Sequence, residues 1–232
     1  VQVFSQQTGH LESLLLDNGI LTELRTAAVG ALATKLLGPK IIETIGIVGT
    51  SVQARYQLEY LSTVTDCKNV LVWGRNHSKA KSYISDMAAK GWHVQLAESP
   101  DELLQKCNVI VTTTCSRDAV LGNSSSETQK KGLLINCIGA DAPGKYELNP
   151  CLVAKADLLV ADVRAQSIQR GEFQKAVADG VIKPESIVSF GKLIEQDDLH
   201  RKPGDNRMII FDSSGVALQD CVVSSLVMEK LR

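Results

Sequence analysis

The sequence is poor in the residues from which several kinds of site are built. Aromatic side chains make up 4% of its 232 positions and are scattered, which excludes a base-stacking platform. Its 25 lysines and arginines are balanced by 26 acids, with no basic block, so nothing points to nucleic acid. No apolar run approaches the roughly 20 residues that cross a bilayer, and no membrane span is expected. The four histidines, His10, His77, His93 and His200, lie far apart and form no metal-ligand pattern. The six cysteines, Cys67, Cys107, Cys115, Cys137, Cys151 and Cys221, show no C-x-x-C spacing. No metal site is expected, and the thiols read as reduced groups of a cytoplasmic protein. The opening residues alternate polar and apolar, a strand pattern rather than a signal peptide. Val1 falls inside that pattern without a preceding Met, and the expectation is a fragment or a processed chain.

What is present is a core of ordinary size: the hydrophobic fraction is 44%, enough for one large domain or two small ones. The chain is organised around Ile45 to Ala54, IGIVGTSVQA. A β-branched run ends at Gly49, Thr50, Ser51, Val52 and Gln53, and a helical pattern follows. Strand, tight Gly turn and helix are how an α/β sheet presents backbone N–H groups to a pyrophosphate. A second strand, Asn69 to Trp73, ends at Gly74-Arg75, where a cofactor's ribose would lie.

Two strand-like runs, Val1 to Ser5 and Leu11 to Leu16, flank a hairpin signal at Gln7-Thr8-Gly9-His10. An Ala-rich helix is predicted from about Leu21 to Leu37, stopping at Gly38-Pro39. Strands and helices then alternate: a helix from about Ser78 to Lys90, a strand near Val94, and a helix after Ser99-Pro100. Strands follow at Val109 to Thr112, Leu133 to Ile138 and Leu158 to Ala161. This succession predicts an α/β fold with a Rossmann-type, doubly wound parallel sheet. The last part holds a helix from about Gly171 to Asp179, then Ile187 to Glu195. A polar loop through Asp197-Asp198 and His200 to Gly204, a strand Met208 to Phe211 and a closing helix Val216 to Leu231 complete it. That helix is expected beside the Leu21 to Leu37 helix. Ser124-Ser125-Ser126 reads as a surface loop.

Ligands of such sheets gather beyond the carboxyl ends of the strands. Gly49, Arg75, Thr113, Gly139, Asp141 and Asp162 all fall there, which argues for one shared site. Three further stretches carry information: LTELRTAA (Leu21 to Ala28), IGADAPGKYEL (Ile138 to Leu148) and FDSSGVALQD (Phe211 to Asp220). On residue type alone, Arg25 could be a solvated helix residue and Asp141 could simply hold its turn through the backbone.

Taken with IGIVGTSVQA, the order and spacing of these stretches resemble the ornithine cyclodeaminase/mu-crystallin family across essentially the whole chain. RGEFQKAVADG, Arg170 to Gly180, resembles it as well. The resemblance implies a dimeric NAD(P)-dependent enzyme. It moves hydride between a nicotinamide and the α-carbon of a small amino acid or its cyclic imine, as an ornithine cyclodeaminase, an amino-acid dehydrogenase or a ketimine reductase. It also implies a dinucleotide-binding domain at 40–212, with 1–39 and 213–232 forming part of a smaller, discontinuous substrate and dimerisation domain. Arg25 matches the family's clamp on the substrate carboxylate, and Asp141 the acid that handles protons at the substrate nitrogen. Gly49, Thr50, Ser51, Val52 and Gln53 match the pyrophosphate turn, although Ser51 stands where Gly is common. Thr113, Thr114 and Gly139 complete the cofactor's surroundings. The family's catalytic Lys lies upstream of Val1. Mu-crystallins, which lack the acid at the position of Asp141, supply the alternative of a non-catalytic NADP-binding protein.

Cofactor choice follows from the second strand. It ends in Gly74-Arg75-Asn76-His77-Ser78 with no acid until Asp86, whereas an NAD-preferring domain usually places a carboxylate there. Arg75, Asn76 and Ser78 are read as binding a 2′-phosphate, so NADP(H) is expected over NAD(H). The alternative for Arg75 is a solvated loop residue.

Overall fold

A computed structural model of the chain describes residues 1–124, 129–195, 201 and 204–231. The N-terminal hairpin forms as expected, with β1 (Gln2–Phe4) antiparallel to β2 (Leu11–Leu14). Helix α1 (Ile20–Leu37) follows, then β3 (Ile45–Val48), α2 (Val52–Leu61), β4 (Asn69–Trp73) and α3 (His77–Ala88). Next come β5 (His93–Leu96), α4 (Pro100–Lys106), β6 (Val109–Thr112), β7 (Leu134–Cys137) and α5 (Pro150–Ala154). The last third holds β8 (Leu158–Ala161), α6 (Arg164–Arg170), α7 (Gln174–Ala178), β9 (Ile187–Ser189) and α8 (Phe190–Glu195). Strand β10 (Ile209–Asp212) and helix α9 (Ala217–Leu231) close the chain.

Eight parallel strands form one sheet in the order β5-β4-β3-β6-β7-β10-β8-β9. The winding reverses between β3 and β6, so a crevice opens beyond their carboxyl ends. Both faces are covered, as parallel sheets require. Ile45 and Ile47 face a core with Leu58 and Leu61 of α2 and Tyr83 and Met87 of α3. Val48, Ile110 and Ile135 face a second core with Leu103 of α4, Leu152 of α5 and Phe173. Each such fully buried side chain contributes about 1.5–3 kcal/mol relative to exposure, which is why short strands suffice.

Helix α1 is held to α2 by more than apolar contact. Buried Gln57 donates from Nε2 to the Thr26 carbonyl at 3.1 Å and to Gln53 Oε1 at 3.0 Å. The C-terminus of α1 is capped by Arg201, which is buried and donates to the Leu37 carbonyl at 2.6 Å and the Leu133 carbonyl at 3.0 Å. A cation there complements the helix dipole and satisfies an otherwise orphaned carbonyl.

The expected elements are found within a residue or two, with several differences. The helix expected at Gly171 to Asp179 is shorter, α7 at Gln174–Ala178, and an unexpected helix, α6 at Arg164–Arg170, precedes it and ends at Gly171. Ile187 to Glu195 divides into the edge strand β9 and helix α8. Helix α5 has no counterpart in the expectations; Asn149 caps it and Pro150 opens it. Arg201 was read into a polar loop and is instead buried. The rest of that loop, apart from Gly204, lies outside the described residues, as do Ser125 and Ser126. Among the described residues no helix is long and apolar enough to cross a membrane, and no group of acids, histidines and cysteines could hold a metal.

Candidate functional site

The turn after β3 is shaped by Gly49. Its φ is +114°, and a Cβ there would lie 2.6 Å from Thr113 Oγ1, so no other residue fits without displacing the end of β6. The next strand is as close: a Cβ on Gly74 would meet Thr50 Cγ2 at 2.7 Å. Ser51 caps α2, its Oγ accepting the Ala54 N–H at 3.4 Å, which leaves the hydroxyl hydrogen free to donate. Arg55 donates to the carbonyls of Thr50 at 2.8 Å and Ser51 at 3.1 Å, bracing the turn from behind. The first amides of α2 have no partner within the helix and carry its positive end.

A cavity of about 520 Å³ lies over this turn, lined by Gly49 to Ser51, Trp73 to Asn76, Lys79, Thr113 to Asp118 and Val120. Three cations, Arg75, Lys79 and Arg117, face one acid, Asp118. A second cavity of about 300 Å³ shares Thr113, Thr114 and Cys115 with the first. Its walls are Thr22, Glu23, Arg25 and Thr26 of α1, Gln53, Ile138, Gly139, Asp141, Lys145 and Ser213 to Gly215. The two adjoin at Thr113 to Cys115 and make up a cleft along the carboxyl edge of the sheet, of the size of a small-molecule site.

In the second cavity Arg25 pairs with Asp220 of α9, Nε to Oδ1 at 3.2 Å, and donates from Nη1 to Gln219 Oε1 at 3.2 Å. Asp141 also lines this cavity, exposed, with Lys145 Nζ 2.7 Å from its Oδ1. Asp162, at the end of β8, accepts the Gly215 N–H at 3.0 Å and the Ser214 hydroxyl at 3.2 Å, and so fixes the loop beside Arg25.

Among the expected site residues, Arg25, Gln53, Thr113, Thr114, Gly139 and Asp141 meet in the second cavity. Gly49, Thr50, Ser51, Arg75 and Asn76 meet in the first, with Thr113 and Thr114 again. Val52 and Ser78 line neither. Helix α3 is capped by Asn76, whose Oδ1 accepts the Lys79 N–H at 3.0 Å. This puts Ser78 inside the first turn and brings Lys79, which the sequence reading passed over, to the cleft. Gln53 is committed to α1, donating to the carboxylate of Glu23. Lys145, Arg117 and Cys115 are further cleft residues that the sequence reading did not assign.

A sequence model of the ornithine cyclodeaminase/mu-crystallin family matches residues 1–232. The chain belongs to that family. The iminosuccinate reductase of Paracoccus denitrificans, solved with NAD+, is 35% identical, with a TM-score of 0.86 over 98% of this chain and 68% of that one. An archaeal alanine dehydrogenase dimer with bound NAD is 34% identical, with a TM-score of 0.87 over 97% and 68%. The Δ1-pyrroline-2-carboxylate reductase of Thermococcus litoralis, solved with NADH and L-proline, is 26% identical, with a TM-score of 0.89 over 99% and 70%. The chain thus spans about two thirds of the length of each of these family members. The stretches that carried the resemblance, LTELRTAA, IGIVGTSVQA, IGADAPGKYEL and FDSSGVALQD, all contribute walls of the cleft.

Proposed function

We propose that the cleft binds a nicotinamide dinucleotide and a small amino acid or its imine, and that the protein transfers hydride at the substrate α-carbon. The observation that carries this is the meeting of Arg25 and Asp141 in a cavity that shares Thr113 to Cys115 with the cavity over the Gly49 turn. The α2 N-terminus and the hydroxyl of Ser51 suit a pyrophosphate, and Gly49 keeps side-chain bulk off that surface. A bound nicotinamide supplies or accepts the hydride. Arg25 offers a fork of donors for the substrate carboxylate, in place of or alongside the single carboxylate of Asp220. Asp141 takes or returns the proton at the substrate nitrogen, with Lys145 as its charged neighbour. Oxidation of an ornithine-like diamine at its α-carbon, attack of the distal amine on the resulting imine with loss of ammonia, and return of the same hydride to the cyclic imine would give the cyclodeaminase outcome. Stopping after one transfer gives the dehydrogenase or reductase outcome.

The preferred cofactor is NADP(H). The end of β4 carries no acid, and Arg75, Lys79 and Arg117 form a cationic rim suited to a 2′-phosphate. NAD(H), which the solved family members carry, is the second candidate.

Residues 40–212 form the dinucleotide-binding domain, and 1–39 with 213–232 belong to a substrate and dimerisation domain. The homodimer reading is supported by Phe4, Leu11 and Leu14 of the hairpin and Leu218, Val222 and Leu226 of α9, all more than half exposed. The archaeal relative is a dimer. A cytoplasmic setting is supported by six cysteines, all free.

The test is a panel of amino acids and cyclic imines offered to the full-length protein with each cofactor, followed by nicotinamide absorbance. Substrate-dependent change of the nicotinamide supports the enzyme. Cofactor binding without turnover would move the protein to the binding-protein alternative.

A further inference from the structure

The loop that carries Asp141 ends at Glu147, which is 0% exposed and, among the described residues, has no lysine or arginine as a hydrogen-bond partner. Its Oε1 accepts the Thr114 N–H at 2.6 Å. Its Oε2 accepts the Thr112 hydroxyl at 2.6 Å and the Gly139 N–H at 2.9 Å. One side chain therefore joins the end of β6 to the end of β7, and both ends are walls of the cleft. The backbone of Glu147 is itself anchored: its N–H and that of Leu148 donate to the Glu172 carboxyl at 3.0 and 2.7 Å. Glu172 in turn donates its N–H to Asp212 at the end of β10, at 3.0 Å.

Desolvating a carboxyl without a cation is costly, so this placement calls for a geometric return. We infer that Glu147 is a positioning residue for the reaction: its carboxyl locks the Thr113–Thr114 turn to Gly139 and so holds Asp141 against the nicotinamide end of the cleft. It touches neither substrate nor cofactor. The lock stands on hydrogen bonds alone; only the statement about the nicotinamide rests on the function proposed above.

The geometry demands two acceptor oxygens. The backbone N–H groups of Thr114 and Gly139 point at different oxygens of the carboxyl, and neither N–H can turn away. A protonated carboxyl still serves, since an O–H on Oε2 can donate to the Thr112 oxygen while that oxygen atom accepts from Gly139. A glutamine does not serve, because in either orientation its NH₂ faces one of the two N–H groups.

The experiment is Glu147→Gln in the full-length protein, read by amide hydrogen exchange and by calorimetric titration with ADP and with the whole dinucleotide. Exchange at one of the two amides, Thr114 or Gly139, is expected to quicken by about tenfold, as for one lost hydrogen bond, while the Gly49 turn is unchanged. Affinity for the dinucleotide should fall by about tenfold and that for ADP, which lacks the nicotinamide half, should hold. Unaltered exchange at both amides, or equal losses for the two ligands, overturns the inference. If the wild-type protein binds neither ligand, the cofactor reading fails and the exchange result still decides on Glu147. Should Glu147→Gln not fold, Thr112→Val removes one donor at constant shape. Faster exchange at Gly139, which shares Oε2 with Thr112, is then expected, and no change overturns the inference.

Discussion

Arg25 and Asp220 sit 195 residues apart in the chain and form an ion pair, Nε to Oδ1 at 3.2 Å. The pair ties the start of helix α9 to α1 and leaves the guanidinium, with 16% of its side chain exposed, in the wall of the cavity that Asp141 also lines.

That placement makes Arg25→Lys the first test of substrate recognition. Lysine keeps the charge and loses the fork, so apparent substrate affinity should weaken by about 2 kcal/mol or more, with cofactor affinity retained. Steady-state kinetics at saturating cofactor measure it. An unchanged KM would return Arg25 to the role of a helix-to-helix tie with Asp220.

Asp141→Asn keeps the shape of the side chain and loses its capacity to accept a proton. Turnover should fall by about two orders of magnitude or more, the range for removal of a general base. Cofactor titration should give the wild-type affinity. Joint loss of turnover and cofactor binding would show that Asp141 holds its turn instead.

For cofactor choice the informative variant is Arg75→Ala. NADP(H) affinity should drop by about 1.5–3 kcal/mol, as for a charge-assisted contact, and NAD(H) affinity should hardly move. Calorimetry with both cofactors decides it, and equal losses would place Arg75 on the adenine or the fold. Lys79→Ala should give a smaller loss in the same direction.

Stability should depend on pH through Asp212. Burial pushes this carboxyl up from 3.8 to about 8, against the hydrogen bonds it accepts from Ser167 and the Glu172 N–H. Between those values the folded state holds a proton that the unfolded state has released, so this contribution to stability declines as pH rises from 3.8 towards about 8. Chemical denaturation at pH 5 and pH 8 should show the wild type losing stability over this interval, with Asp212→Asn losing less. A wild type that gains stability from Asp212 as pH rises contradicts the assignment.

Much of the fold was legible because parallel strands are short, β-branched and apolar on both faces. Ile45–Val48, Asn69–Trp73 and Val109–Thr112 announce themselves in that way. The insertion of β10 between β7 and β8 was not legible, since strand order depends on partners distant in the chain. Arg25, Asp141 and the Gly49 turn were expected from short motifs, and they line the two cavities. Lys79 went unremarked because the expected helix boundary at Ser78 missed the Asn76 cap that brings Lys79 to the first cavity. Glu147 and Glu172 went unremarked. Their signal was an acid set between apolar or small neighbours, Tyr146 and Leu148 for one, Gly171 and Phe173 for the other. Such a signal marks burial and cannot name the donors, which come from β6, β7 and their loops.

The most direct test of the central claim follows the hydride itself. The full-length protein would be given a cyclic imine or an imine precursor with NADPH deuterated at the transferring face of C4, and the product examined by mass spectrometry and NMR. Hydride transfer at the α-carbon predicts one deuterium, bound to that carbon. Product formed without label there, or no product from any member of the panel despite cofactor binding, would contradict it.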